Sequence, residues 1–131
     1  MWFNRNKEER NTTTTNSGAL AEAQAEAYLQ QHGLVTRVKN YRAKQGEIDL
    51  IMTQGDTLVF VEVRLRTNPY FTSAAETVDY RKQQKMIKTA QQFLLQQRLT
   101  DKVPCRFDVI AIDNTPNKPN SIQWIQNAFG A

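Results

Sequence analysis

Residues 46–64 read GEIDLIMTQGDTLVFVEVR, two apolar runs joined at Gly55-Asp56. A Gly-Asp pair between such runs is typical of a two-residue hairpin turn. Centring the turn on this pair places Asp49 opposite Glu62 on adjacent strands. Two carboxylates side by side among apolar neighbours repel each other and resist desolvation, so the arrangement indicates function rather than stability. A divalent cation would resolve the conflict. Mg²⁺, or Mn²⁺ in its place, suits a carboxylate pair with few other protein ligands.

The composition limits the class of protein and the kinds of site that are possible. The chain has 131 residues, 40% of them hydrophobic and 23% charged, which predicts one domain with its own core. Its net charge of +4 is compatible with a polyanionic partner, and equally with a charge that only keeps the protein soluble. One cysteine cannot form an internal disulfide, and one histidine leaves no plausible zinc site. Because no apolar stretch resembles a signal peptide or a membrane span, we expect a cytoplasmic protein with no membrane partner.

The rest of the pattern predicts two helices and further strands around the hairpin. Residues 1–16 are polar and of low complexity, and we interpret them as a flexible leader before a single domain over residues 17–131. Helices are predicted from Ser17 or Asn16 to about His32 and from about Val78 to Arg98. Strands are predicted over 34–42, 47–53, 57–65, 106–112 and 121–125, with loops at 67–75 and 113–120. This order predicts an α/β fold, a mixed sheet with helices on its faces.

Each predicted helix adds charged residues to the site. On the first helix Glu22 lies at the edge of the buried stripe of Ala21, Ala25, Tyr28 and Leu29, whereas Glu26 is turned toward solvent. The second helix carries a basic row with one further lysine beside it: Arg81, Lys85 and Lys88, with Lys82. Such a row fits contacts to a phosphate backbone, although charged rows on helices are most often simply solvated.

Several short strings, taken in order, resemble one known family. They are Gly18-x-x-x-Glu22-x-x-Ala25-x-x-Tyr28-Leu29, Asn40-Tyr41-Arg42, Gly46-Glu47-Ile48-Asp49-Leu50-Ile51, Val59-Phe60-Val61-Glu62-Val63-Arg64, Lys82-x-x-Lys85 and Cys105-Arg106-Phe107-Asp108-Val109. Together they resemble the YraN-type uncharacterised family, which is similar to PD-(D/E)xK nucleases and archaeal Holliday-junction resolvases. The resemblance spans nearly all of residues 18–129. It implies a restriction-endonuclease-like fold and binding of nucleic acid, with DNA the expected partner and, by analogy with the resolvases, a homodimer.

The resemblance also implies roles for individual residues. By position, Asp49 and Glu62 would hold Mg²⁺ or Mn²⁺ together with the backbone carbonyl of Val63, and Glu22 would reach the metal or its water. The predicted catalytic set is therefore Glu22, Asp49, Glu62 and Arg64, and the predicted nucleic-acid-binding set is Arg81, Lys82, Lys85 and Lys88. The residues alone leave another interpretation open, in which Glu22 has no role in the site and only stabilises the dipole of its helix.

Arg64 departs from the nuclease pattern, in which a lysine usually occupies this position. A guanidinium stays charged, so Arg64 cannot be a general base, although it can stabilise charge that develops on a phosphate. Three alternatives remain open: a slow nuclease that uses Arg64, a nuclease whose lysine has moved to Lys82 or Lys85, and a binding module without hydrolysis. A structural ion network, in which Arg64 and Arg42 neutralise the acids, is a fourth. The leading hypothesis is a metal-dependent nuclease-like protein that binds and cleaves structured DNA. Its rival is the non-catalytic nucleic-acid-binding module.

Overall fold

The turn at Gly55-Asp56 forms the hairpin that the sequence predicts. Gly55 has φ 60°, a left-handed conformation that glycine adopts without steric strain. It joins β2 (Gly46–Gln54) to β3 (Thr57–Arg66), which pair antiparallel from Gln54–Thr57 at the turn to Leu50–Val61. The predicted register is thereby confirmed along this ladder, which ends one pair before Asp49 and Glu62.

The computed structural model describes residues 16–66, 78–115 and 118–130. The remaining elements are α1 (Asn16–Gln31), β1 (Val35–Ala43), α2 (Tyr80–Gln96), β4 (Cys105–Thr115) and β5 (Lys118–Phe129). The five strands form one sheet in the order β1-β2-β3-β4-β5, antiparallel except for the parallel pair β3–β4, which α2 connects. The predicted α/β fold with a mixed sheet flanked by helices is confirmed, and it is consistent with a restriction-endonuclease-like fold.

The two helices cover opposite faces of the sheet. Successive residues of β3 belong in turn to two core clusters, because successive side chains of a strand point to opposite faces of the sheet. Val59 and Val61 pack in the cluster of α1, with the small residues Ala21 and Ala25 and with Leu29. On the other face, Phe60 packs in the cluster of α2, whose buried members include Met86, Ile87, Ala90 and Phe93. The sheet is thus buried on both sides, and polar groups along it require a specific reason to be there.

The second hairpin is more regular than expected. Residues 113–120 were predicted as a surface loop, but β4 extends to Thr115 and β5 begins at Lys118. The prediction was wrong because Asp113, which suggests a turn when read locally, is a paired sheet residue opposite Ser121. Its carboxylate lies 2.9 Å from Arg66 Nε on β3, and both side chains are largely buried. A charge that is paired in this way can continue a strand.

Other boundaries differ by a few residues. Helix α2 begins at Tyr80 rather than at Val78, because the Asp79 side chain caps it by accepting a hydrogen bond from the Lys82 N–H at 2.9 Å. Cys105, one residue before the predicted start of its strand, is the exposed first residue of β4. The predicted leader covered residues 1–16, but Asn16 is the first residue of α1, and residues 1–15 lie outside the described residues, as does the predicted loop over residues 67–75. Within the described ranges, neither helix has the length and apolar character that a membrane crossing requires.

Candidate active site

Asp49 lies at an irregular point of β2. The ladder between β1 and β2 continues on either side of it but leaves Asn40 and Asp49 unpaired with each other, and Asn40 has φ 54°. Ile48 and Leu50 pack in the clusters of α2 and α1 respectively, although residues two apart on a regular strand share one face. The strand is therefore distorted at Asp49. Such distortions commonly aim a side chain at a functional site.

At this level the Asp49 side chain, rather than the backbone ladder, joins β2 to β3. Its Oδ2 accepts a hydrogen bond from the backbone N–H of Val63 at 2.9 Å. This bond holds the Asp49 carboxylate against β3, one residue beyond Glu62. It also fixes the backbone of Val63, whose carbonyl is the further metal ligand that the family resemblance predicts.

Glu62 is an unevenly partnered buried acid. The residue is 3% exposed. Its Oε2 lies 3.3 Å from Arg64 Nη1 and 3.4 Å from Lys82 Nζ, so two cations approach the same oxygen. The other oxygen, Oε1, is buried and has no hydrogen-bond partner among the described residues.

Another buried acid, Asp108, shows what full partnering looks like in this fold. It is 0% exposed, and its two oxygens accept from Arg106 Nε, Trp124 Nε1 and the Asn127 N–H at 2.9 to 3.2 Å. Buried polar groups are normally satisfied in this way. Asp113 is intermediate, since it forms an ion pair with Arg66 at 2.9 Å but its Oδ1 has no hydrogen-bond partner among the described residues. Glu62 Oε1 is likewise an acceptor that the described residues leave open.

Glu22 enters the site from α1. Burial, followed by the neighbouring charge of Asp49, raises the pKa of Glu22 to about 7. The protonated Glu22 carboxyl donates a hydrogen bond to Asp49, while contact with the Asn40 side chain favours the ionised form. Glu22 is thus a direct partner of Asp49, whereas Glu26, one turn further along α1, accepts a hydrogen bond from Thr36 at 2.7 Å and pairs with Lys39 at 3.5 Å.

The remaining carboxyls of the site are also harder to ionise than usual. Burial, followed by repulsion from Asp49, raises the pKa of Glu62 to about 7 even though Lys82 and Arg64 oppose the shift. Burial likewise raises the pKa of Asp49, against the hydrogen bond from Val63 and the charge of Lys82. Three neighbouring carboxyls therefore hold fewer than three negative charges near neutral pH. A cation bound between them would restore the missing charge.

The donors available to a metal are oxygens, which suit a hard cation. In the part of the chain that the structure describes, no group of three or more His, Cys, Asp or Glu side chains is placed to hold one metal ion. With Glu22 engaged by Asp49, the pair Asp49 and Glu62 remains. Mg²⁺ commonly binds through one or two carboxylates and keeps several waters, so this donor set fits it.

The predicted basic residues divide into two groups. Lys82 reaches Glu62, whereas Arg81, Lys85 and Lys88 are exposed on the outer side of α2. The contact of Lys82 was missed, although the sequence carries a signal for it: Lys82 precedes the buried Met86 by one helical turn and so points toward the sheet. Arg42 pairs with Glu47 at 3.4 Å, so it takes no part in the ion network that was predicted around Asp49 and Glu62.

Comparisons with known proteins place the chain in a family. Residues 21–112 match the model of the family described as "Uncharacterised protein family UPF0102". The chain is 46% identical over 118 residues to a UPF0102 protein of Legionella pneumophila strain Philadelphia 1, covering 90% of this chain and 98% of that protein. It is 45% identical over 117 residues to one of Pseudomonas fluorescens, covering 89% and 95%. A third, from Pseudomonas aeruginosa, is 44% identical over 120 residues, covering 91% and 96%. The chain therefore belongs to the UPF0102 family, the YraN-type family that its motifs resemble.

Proposed function

We propose that this protein is a metal-dependent nuclease-like protein that binds structured DNA and hydrolyses its phosphodiester bonds at Asp49 and Glu62. The observation that carries the proposal is the open oxygen of Glu62, which is 3% exposed and leaves Oε1 without a hydrogen-bond partner among the described residues. A buried carboxylate oxygen left in this state costs free energy unless a cation or a donor completes it. The adjacent carboxylate of Asp49 makes a divalent cation the fitting partner.

The carboxylates would share the work of holding the cation. Asp49 and Glu62 would each supply a carboxylate oxygen, with the Val63 carbonyl as a further candidate ligand, and the Val63 N–H orients the Asp49 carboxylate through its 2.9 Å bond. When bound, Mg²⁺ or Mn²⁺ supplies Lewis-acid chemistry that polarises a phosphate oxygen. Glu22, with its pKa raised to about 7, can take up or release a proton beside Asp49 near neutral pH.

The two cations at Glu62 would act on the substrate rather than on the acid alone. Arg64 Nη1 and Lys82 Nζ are each within 3.4 Å of Glu62 Oε2, so both carry donors at the place where a phosphate would meet the carboxylate pair. Donors fixed at that place stabilise the charge that develops on the phosphate in the transition state. Lys82 is favoured over Lys85 as the replacement for the usual lysine, because Lys82 contacts Glu62 whereas Lys85 is exposed and forms no ion pair with a described acid.

The rival function is a non-catalytic nucleic-acid-binding module. The observation that favours it is the same pair of contacts, because two cations on one oxygen already compensate the charge of Glu62. In that case the acids would form an internal ion cluster with Arg64 and Lys82, and this cluster would hold α2 and its basic residues in place. The two functions differ in whether metal-dependent hydrolysis occurs at all.

DNA as the partner, a homodimer and a cytoplasmic location belong to the same proposal. The basic face of α2 supports the first, and the resolvase analogy supports the second. The single cysteine supports the third.

A cleavage assay separates the two functions. Duplex, single-stranded, flap and four-way DNA are incubated with the protein and Mg²⁺ or Mn²⁺, beside Asp49→Asn and Glu22→Gln. Glu26→Gln is the matched control, since it changes the same residue type on the same helix at a position paired with Lys39. The proposal expects metal-dependent cleavage of at least one substrate, loss in Asp49→Asn, reduction in Glu22→Gln and wild-type turnover in Glu26→Gln. Binding of these substrates without cleavage by the wild type would establish the rival.

A further inference from the structure

The outer side of α2 carries an aromatic ring among positive charges. Tyr80, the first residue of the helix, is 71% exposed. It lines an open groove of about 490 Å³ with Arg81, Gln84, Lys85 and Lys88. We call this the α2 groove. The buried residues of the helix, which include Met86 and Phe93, face the sheet on the opposite side, so the ring is not part of the core.

The positive charge in the α2 groove is not compensated within the described protein. Arg81, Lys85 and Lys88 form no ion pair with any described acid, whereas Lys82 on the same helix pairs with Glu62. The nearest acid in the chain, Asp79, uses its Oδ1 to cap the helix at the Lys82 N–H. The aliphatic stems of the lysines and the Tyr80 ring give the groove an apolar floor beneath charged ends.

We propose that the α2 groove binds an unpaired stretch of nucleic acid, with Tyr80 stacked on a base and Arg81, Lys85 and Lys88 in contact with its phosphates. An exposed aromatic ring beside a track of cations is the combination that holds single strands, because every base offers a face for stacking once it leaves a duplex. In a duplex those faces are stacked on one another, so the ring has nothing to cover. The ring thus distinguishes an unpaired strand from a duplex, and the cations do not.

The α2 groove and the acid site lie on different sides of the same helical turn. Tyr80 lines the groove, whereas Lys82, two residues later, points to the sheet and reaches Glu62 at 3.4 Å, so the width of α2 separates the groove from the candidate active site. The inference deepens the proposed function by naming its substrate class, nucleic acid with an unpaired segment. It rests on that function only for what happens at the acids, because the groove itself requires no metal.

Fluorescence anisotropy in EDTA tests the inference without hydrolysis. The probes are a labelled single-stranded DNA, the RNA of the same sequence, a duplex of that sequence and an acidic peptide. The variants are Tyr80→Ala, Tyr80→Phe and the double variant Lys85→Ala with Lys88→Ala. Leu95→Ala is the matched control, since Leu95 is an exposed apolar residue on the same helix, outside the groove. Circular dichroism verifies that each variant is folded, which the exposure of Tyr80 leads us to expect.

We expect Tyr80→Ala to weaken single-strand binding about 5- to 150-fold, as the loss of one stacked base does, and to change duplex binding less than about 2-fold. Tyr80→Phe and Leu95→Ala should bind like the wild type, and the double lysine variant should weaken all nucleic-acid probes. The DNA and RNA arms show which unpaired strand is preferred. Equal effects of Tyr80→Ala on single strand and duplex, or no effect, would overturn the inference. The inference would also be overturned if the wild type bound an acidic peptide as tightly as it binds the single strand.

The outcome is independent of the nuclease proposal. If Tyr80→Ala leaves single-strand binding unchanged while Asp49→Asn abolishes metal-dependent cleavage, the α2 groove is rejected and the acid site stands. If single-strand binding depends on Tyr80 but no substrate is cleaved with metal, the groove stands and the protein is a binding module.

Discussion

Lys82 Nζ lies 3.4 Å from Glu62 Oε2 and so joins the second helix to the third strand at the most buried acid of the site. Arg64, at the position where the nuclease pattern expects a lysine, approaches the same oxygen at 3.3 Å. The site therefore contains both an ammonium and a guanidinium. Both approach Oε2, and Glu62 Oε1 has no hydrogen-bond partner among the described residues.

Lys82 and Lys85 should have separable roles although they are three residues apart on one helix. Lys82→Met keeps the apolar stem but removes the donor at Glu62, so we expect turnover to fall about 100-fold, as it does when one fixed transition-state donor is lost. Affinity for DNA should change little. Lys85→Met should instead weaken binding several-fold and leave single-turnover cleavage at saturating protein unchanged. Single-turnover kinetics beside anisotropy measures both effects, and equal effects of the two variants on turnover would refute the assignment of Lys82.

Arg64 should act mainly in the transition state. Arg64→Ala is expected to reduce turnover while metal and DNA affinities stay within about 3-fold, because an interaction made only in the transition state affects kcat and kcat/KM alike. Arg64→Lys should bring little gain over the wild type, since Lys82 already places an ammonium at Glu62. A large gain in Arg64→Lys would mean that Lys82 does not replace the usual lysine.

The metal-free protein should lose stability as the pH rises from about 4.5 to about 7. Glu22 and Glu62 have a pKa of about 7 in the folded protein, against an ordinary value of 4.5 for the glutamate side chain. Below the lower pKa both carboxyls are protonated in the folded and in the unfolded protein, so the stability that goes with their protonated forms is fully present. Between the two values the folded state holds more protons than the unfolded state, so stability falls as the pH rises through the folded pKa. Each extra proton contributes a slope of up to about 1.4 kcal/mol per pH unit.

Urea unfolding in the presence of EDTA at several pH values measures this dependence. Glu62→Gln should flatten the slope and raise the free energy of unfolding above pH 7 by about 1 kcal/mol, because a neutral amide replaces a buried charge. Glu26→Gln should keep the wild-type slope. A wild-type slope in Glu62→Gln would show that the carboxyl is ionised throughout and that its environment differs from the one described.

The hairpin and the carboxylate pair were predictable from the sequence because their determinants are local. Gly55-Asp56 sets the turn, the turn sets the register, and the register sets the level of Asp49 and Glu62. The α/β class followed in the same way from the order of the periodic segments. The buried stripe of α1 also placed Glu22 on the side that meets Asp49.

The features that local patterns missed depend on contacts between distant elements. The break in pairing between Asn40 and Asp49 lies within two strands that the sequence predicts as continuous, and only the pairing of the strands shows it. The extension of β4 through Asp113 depends on Arg66, nearly fifty positions earlier in the chain. The contact between Lys82 and Glu62 likewise requires the packing of α2 on the sheet. Charged residues in buried positions are the common element, and their partners decide whether a strand or a helix tolerates them.

The central claim is that Asp49 and Glu62 hold a divalent cation, and thermal unfolding with and without Mg²⁺ or Mn²⁺ tests it most directly. Metal that binds only the folded protein stabilises it, by about 2.7 kcal/mol at 100 times Kd. The account predicts a clear metal-induced rise in the wild-type Tm. In Asp49→Asn it predicts no rise and a higher metal-free Tm, since the amide oxygen can still accept from Val63 while the charge is gone. Glu26→Gln should respond like the wild type. Retention of the full metal-induced rise in Asp49→Asn would contradict the account.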